Sequence, residues 1–314
     1  MAIATFLARY TGHTKQNYTT DLKHYMRFCR SNGLGMLTVE RGHLEIYIRE
    51  MELAGYAEST IARRFGTVYS MLEYAEIDDR IPKNPARKVA RPKVHSDRQK
   101  RPFFTLAEAI SIINRARHNV TVLDARAEQL AHAVTAVDRR RYEQTLRMRR
   151  SAVQDFTLLH LMFDTGMRVG EVCSLDVESL HVGHGGAWLN YIRKGGNLTR
   201  IDLPADVLMS VVRHNEISGR KTGPLFVTRT GQRIHRSNVQ WVITRVARQV
   251  GITRHVPPHG VRRAHAVAAE QLGASESELQ GSLQHVDPRT TQIYRVGRKK
   301  GSVARMLVAE ALAT

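Results

Sequence analysis

The stretch DTGMRVGEVCSL, residues 164–175, follows directly on VQDFTLLHLMF, residues 153–163. The apolar run reads as a buried helix ending at Phe163. Gly166 stops it, and Arg168 stands where the next helix begins. A guanidinium at such a corner is held beside the uncommitted N–H groups of a helix start, an arrangement that suits an anion. A surface arginine at a turn has the same local sequence, so the choice between the two rests on the remainder of the chain.

Three further segments carry polar groups of the right kind. In AWLNYIRKGGNLTRIDLP, residues 187–204, two extended runs flank Gly195 and Gly196, which reads as a hairpin with Lys194 at the entry to its turn. In PPHGVRRAHAVAAEQLG, residues 257–273, His259 follows two prolines and Arg262 comes one helical turn later, so both face the same way. In LQHVDPRTTQIYRV, residues 283–296, His285 precedes Tyr294 by nine residues. Two of them have an ordinary reading as well: a solvated hairpin-tip lysine, and an aromatic half buried with its hydroxyl satisfied.

Composition narrows the field. The chain has 314 residues, long enough for two domains, and 42% hydrophobic with 25% charged residues is globular. Lys and Arg number 48 against 29 Asp and Glu, a net charge of +19 that exceeds what solubility requires and implies a polyanionic partner. No apolar run reaches the ~18–20 residues that span a bilayer, and no signal or lipidation motif is seen, so nucleic acid is favoured over a membrane surface and a cytoplasmic location is expected. The two cysteines, Cys29 and Cys173, lack metal-type spacing and read as small buried thiols.

Along the chain, ESTIARRFGTVYSMLEYAE (58–76) repeats apolar Ile61, Phe65, Val68, Leu72 and Ala75 at helical spacing, with Arg63 and Arg64 directed elsewhere. YTTDLKHYMRFCRSNG (18–33) does the same with Tyr18, Leu22, Tyr25 and Cys29, and Gly33 is its stop. The first half is thus expected to be a bundle of about four short helices. RIPKNPARKVARPKVHSDRQKRP (80–102) loses the period, gains four prolines and many cations, and reads as a basic linker. Thr105 and Glu108 then form a capping box ahead of AISIINRA, with further caps expected at Ser237/Gln240 and Ser275/Glu278. Residues 119–150 read as a charged helical segment, either a solvated excursion or a contact with DNA or another protomer.

The order Arg168, Lys194, His259-x-x-Arg262, His285, Tyr294 resembles the tyrosine recombinase (phage integrase) family over the whole second half, with Arg262 to His285 at 23 residues. TGMRVGEVCSLDV resembles that family's first arginine box, HGVRRAHA its second, and LQHVDPRTTQIY its histidine-plus-nucleophile box. Val261 and Arg263 stand where the second box usually has Leu and His, and Gln284 where the third has Gly. The resemblance implies a mainly α fold with a small β-sheet. It places an N-terminal helical core-binding (SAM-like) bundle at residues 1–90, a basic linker at 91–104, and a C-terminal mixed α/β tyrosine-recombinase catalytic domain at 105–314.

It also implies roles. A phenol of pKa ~10 is a poor nucleophile at neutral pH unless its proton is removed and the phosphorus made more electrophilic. Arg168 and Arg262 would hold the non-bridging oxygens of the scissile phosphate, each through its planar fork. Lys194 would protonate the departing deoxyribose 5′-oxygen, His259 would exchange the proton of the Tyr294 hydroxyl, and His285 would donate to a phosphate oxygen. The phosphotyrosine ester replaces a phosphodiester, so no metal, ATP or other cofactor is called for.

The implied partners are double-stranded DNA attachment sites and a homotetramer on DNA, each protomer a clamp of two halves. The helix SVARMLVAEALAT (302–314) would be exchanged between protomers or docked on its own domain, and an accessory DNA-bending or directionality factor would act alongside. Because the boxes drift from the housekeeping consensus, a phage or mobile-element integrase is favoured, a compact one without an additional arm-site-binding domain. A Xer-like dimer resolvase, a DNA-relaxing or telomere-resolving relative and a catalytically inactive DNA-binding relative remain the alternatives.

Overall fold

The computed structural model describes residues 2–94, 102–132, 134–193, 196–275, 277 and 279. Lys194, Glu278, His285, Tyr294 and the helix expected at 302–314 lie outside the described residues. The chain divides into two compact units, residues 1–100 and 101–314.

The first unit is helical: α1 (Ala2–Ala8), α2 (Gly12–Ser31), α3 (Arg41–Leu53) and α4 (Glu58–Ile77). The apolar period puts Leu22, Tyr25, Leu44, Tyr47, Phe65, Val68 and Leu72 in one core with Phe6. Asp21 is fully buried there, held by Arg63 and by the Thr67 hydroxyl at 3.0 Å. Arg64 is not directed away from the fold as its position suggested. It lies 4.2 Å over the Tyr56 ring with its side chain 12% exposed, because the buried carboxylate needs nearby positive charge. The stretch 80–89 is likewise no part of a tether. Asn84 caps a 3-10 turn, Pro85–Lys88, and Ile81, Ala86 and Val89 are buried against the bundle.

In the second unit the expected Thr105/Glu108 capping box is present, with both reciprocal bonds made, at 3.2 and 2.8 Å. It opens α5 (Leu106–Leu130), which is followed by α6 (Ala136–Thr165). Residues 119–130 and 136–150 therefore form no separate helix; they are the far halves of two long helices. These pack antiparallel around Val120, Ala127, Thr145 and Val153.

After α7 (Val169–Ser174) come β1 (Leu180–Gly183), β2 (Gly186–Ile192) and β3 (Leu198–Leu203), an antiparallel sheet in chain order. The hairpin expected around Gly195 and Gly196 is the β2–β3 pair, with Ile192 opposite Leu198; β1 is an addition. Along β2 the core side takes Ala187, Leu189 and Tyr191, the period of two that one buried face imposes.

The unit closes with α8 (Ala205–Ser218), α9 (Arg236–Gln249) and α10 (Pro258–Gln271). Helix α9 begins one residue before Ser237, and its cap is His235 with Asn238, not Ser237 with Gln240. Gln240 instead bonds Thr244 and the Val256 carbonyl, tertiary partners that outweigh a local cap. Helix α8 is tied to α6 by Thr157 to the Ser210 carbonyl (3.0 Å) and by His160, whose Nδ1 meets Ser210 Oγ at 2.7 Å. Among the described residues no helix is long and apolar enough to cross a membrane.

Candidate active site

Helix α6 ends two residues later than its apolar run, at Thr165, and Gly166 follows with φ 60°, ψ 16°. That left-handed conformation costs an L side chain roughly 1–2 kcal/mol, which explains a glycine where the chain must reverse within two residues. Arg168 is the N-cap of α7. Its backbone N–H and its Nη1 both donate to the carboxylate of Glu171, at 2.8 and 2.9 Å, and Glu171 is 5% exposed. The guanidinium is thereby fixed at the corner while its side chain stays about a third exposed.

The second arginine arrives from α10. The prolines end the preceding loop, and Pro258 occupies the first helical turn, where its missing N–H costs nothing. Gly260 is required by a close approach: a Cβ there would lie 2.6 Å from the Pro102 carbonyl oxygen and 2.5 Å from Val256. Arg262 is 3% exposed and donates from Nη1 to the Gly166 carbonyl at 2.7 Å. Three residues on, His265 Nδ1 lies 2.9 Å from the Phe163 carbonyl. A carbonyl only accepts, so Nδ1 carries the proton. Burial above all, together with the Arg262 charge, lowers the His265 pKa to about 4, so the imidazole is neutral.

Tyr191, on β2, reports the electrostatics of this corner. Burial pushes its phenol up to about 12, helped by the Glu171 charge, while Arg193, Arg262 and Arg168 pull the other way. One carboxylate thus shares a small region with three guanidiniums, an excess of positive charge suited to an anion with several oxygens.

Of the six residues singled out by sequence, Arg262 is bonded to Gly166, two residues before Arg168. His259 sits one turn before Arg262 on α10 and is exposed. Lys194, His285 and Tyr294 are outside the described residues. Glu171, Tyr191 and His265 had not been singled out. Glu171 was findable, since Arg168 and Glu171 have the spacing of a helix cap and its third residue. His265 shares the face of Arg262 at three residues' remove, but nothing local marks it as a bridge to α6.

Residues 126–300 match the family described as phage integrase family, and residues 6–77 match the phage integrase N-terminal SAM-like domain. The chain is 25% identical over 295 residues to tyrosine recombinase XerC of Thermodesulfovibrio yellowstonii, covering 90% of this chain and 85% of the relative. It is 23% identical over 288 residues to the XerC of Escherichia coli O157:H7, covering 90% and 84%. Among solved structures it is similar to a lambda integrase(75-356) dimer bound to a COC′ core site, with TM-score 0.65, 17% identity and coverage of 96% and 98%. It is also similar to XerH recombinase in a post-cleavage complex with palindromic difH, with TM-score 0.64, 15% identity and coverage of 90% and 75%. At those identities the structural likeness is one of fold.

Proposed function

The chain belongs to the phage integrase family of tyrosine recombinases, and on that premise we propose how this site-specific DNA recombinase works and on what. Tyr294 attacks the scissile phosphorus of a duplex attachment site, the phosphorus–O5′ bond breaks, and a 3′-phosphotyrosine ester forms. The tyrosine proton passes to His259, and Lys194 supplies one to the departing O5′. Arg168 and Arg262 hold the non-bridging oxygens, joined by His285. Attack by the 5′-hydroxyl of a second strand reverses the chemistry and reseals the backbone. Four such exchanges join two duplexes, which calls for four protomers on DNA.

The observation that carries this reading is the Arg262 bond to Gly166, which brings a buried guanidinium to the corner where Arg168 caps α7. Two forks from separate helices, that of Arg168 steadied by the Glu171 carboxylate, suit one phosphate. The test is covalent capture: the full chain is incubated with nicked duplexes of randomised sequence, then denatured, and the DNA that stays attached is sequenced. Wild type retains a restricted set of sequences and Tyr294→Phe retains none. Retention by the phenylalanine variant rejects the nucleophile assignment.

The biological setting follows the drift in the boxes, and we favour integration and excision of a phage or mobile element, assisted by an accessory DNA-bending or directionality factor. The XerC relatives favour a second reading, resolution of chromosome or plasmid dimers. A plasmid assay on the captured sites, scoring intermolecular joining against intramolecular resolution, separates them.

A further inference from the structure

The α5–α6 hairpin carries a charged surface that the reaction does not use. Its far end is solvent-facing, with Val134 82% and Val137 58% exposed. Asp124 holds Arg149 at 2.6 Å and also Arg213 of α8, Asp138 bonds the Thr135 cap and lies 3.5 Å from Arg141, and Glu143, exposed between Arg140 and Arg147 on the same face, offsets one positive charge. Arg140, Arg147 and Arg150 are exposed and make no ion pair among the described residues. Their spacing of seven and three puts them on one stripe of α6.

Such a stripe has a cost. Arg147 and Arg150, one turn apart, repel, and a chain of net charge +19 does not need these three cations for solubility. The same net charge makes a second copy of this chain a poor occupant. A polyanion is the matching one.

The stripe is also remote from the arginine corner. Arg150 and Arg140 precede Gly166 by 16 and 26 residues along one continuous helix, about 24 and 39 Å at 1.5 Å per residue. Both distances exceed a Debye length of ~8–10 Å, so the stripe does not assist the cleaved phosphate through space.

We propose that Arg140, Arg147 and Arg150 form a second, sequence-independent contact with duplex DNA, on phosphates away from the one that is cut. The proposal rests on the DNA-recombinase reading above. At 3.4 Å per base pair the separation corresponds to roughly 7–11 base pairs of duplex, so the contact engages only on DNA that extends beyond the core of the site.

The test compares the full chain with Arg140→Gln/Arg147→Gln/Arg150→Gln on a random-sequence duplex of about 60 base pairs, with DNA in excess and the dissociation constant followed against salt. Wild type should show a salt slope steeper than that of the variant by about 2–3, the value for three phosphate contacts. The variant should keep the melting temperature of wild type. A variant slope equal to that of wild type overturns the proposal. So does that result accompanied by capture of wild type, and not the variant, on immobilised polyglutamate, which assigns the stripe to an acidic protein. If wild type does not bind the duplex, the DNA reading itself fails, an outcome distinct from the other two.

Discussion

Arg262 donates from Nη1 to the carbonyl oxygen of Gly166 at 2.7 Å, so the helix bearing one arginine is tied to the corner that presents the other. The bond couples backbone geometry at Gly166 to the placement of both guanidiniums. Gly166→Ala would place a Cβ on a residue at φ 60°. It should cost about 1–2 kcal/mol by denaturant unfolding and should lower covalent capture of DNA by more than the loss of folded protein accounts for. A variant that unfolds and captures like wild type would show that the corner tolerates the side chain.

Arg262→Lys retains the charge and loses the fork. One ammonium cannot hold the Gly166 carbonyl and two phosphate oxygens in the plane a guanidinium offers. Cleavage should fall by roughly 10²-fold or more while DNA affinity changes only a few-fold, because the lost contact strengthens in the transition state. Single-turnover cleavage at saturating DNA, with binding measured separately, checks the split. Equal losses in both would mean that Arg262 serves binding alone.

His265→Asn and His265→Leu separate hydrogen bonding from packing. The asparagine amide can take the place of Nδ1–H against the Phe163 carbonyl, and leucine leaves that buried oxygen without a partner, at a cost of about 1–3 kcal/mol. The imidazole, with its pKa lowered to about 4, refuses in the fold a proton that the unfolded chain accepts at 6.5. Its contribution is complete above pH 6.5 and is lost as pH falls towards 4, on the order of a few kcal/mol. The asparagine variant should lack that component of the pH dependence in unfolding titrations.

Asp164 works in the opposite sense. Burial, and then the Asp206 charge, raise its carboxyl from 3.8 to about 7. Stability is present below pH 3.8, where the group is neutral folded or unfolded, and is lost as pH rises through 7. Asp164→Asn should therefore stabilise the protein relative to wild type more at pH 8 than at pH 4.5, on the order of a few kcal/mol. A pH-independent difference would mean that the carboxyl ionises without penalty.

The N-terminal bundle was readable because its apolar residues recur at three and four over whole helices, and period alone assigns the buried face. The β2–β3 hairpin was readable from Gly195 and Gly196. The Ser237 cap was misread, since a cap motif is local and the interior partners of Gln240 are not. Residues 119–150 were read as helical without a place to go, because their polar sequence does not say where α5 and α6 end. Arg64 misled for a related reason: its neighbour Asp21 lies 43 residues away, and a buried carboxylate is invisible until the helices are packed.

The sequence by itself determined which chemistry is available: a corner arginine, a histidine and arginine one turn apart, and a tyrosine at set spacing, because residue type and helical period travel with the chain. Only the tertiary structure decided that Arg262 bonds the Gly166 carbonyl, two residues before Arg168, that Glu171 takes two hydrogen bonds from Arg168, and that His265 bonds the end of α6. Those contacts depend on how helices pack, and packing is settled by volume and buried hydrogen bonds contributed from distant segments, which no local stretch of sequence contains.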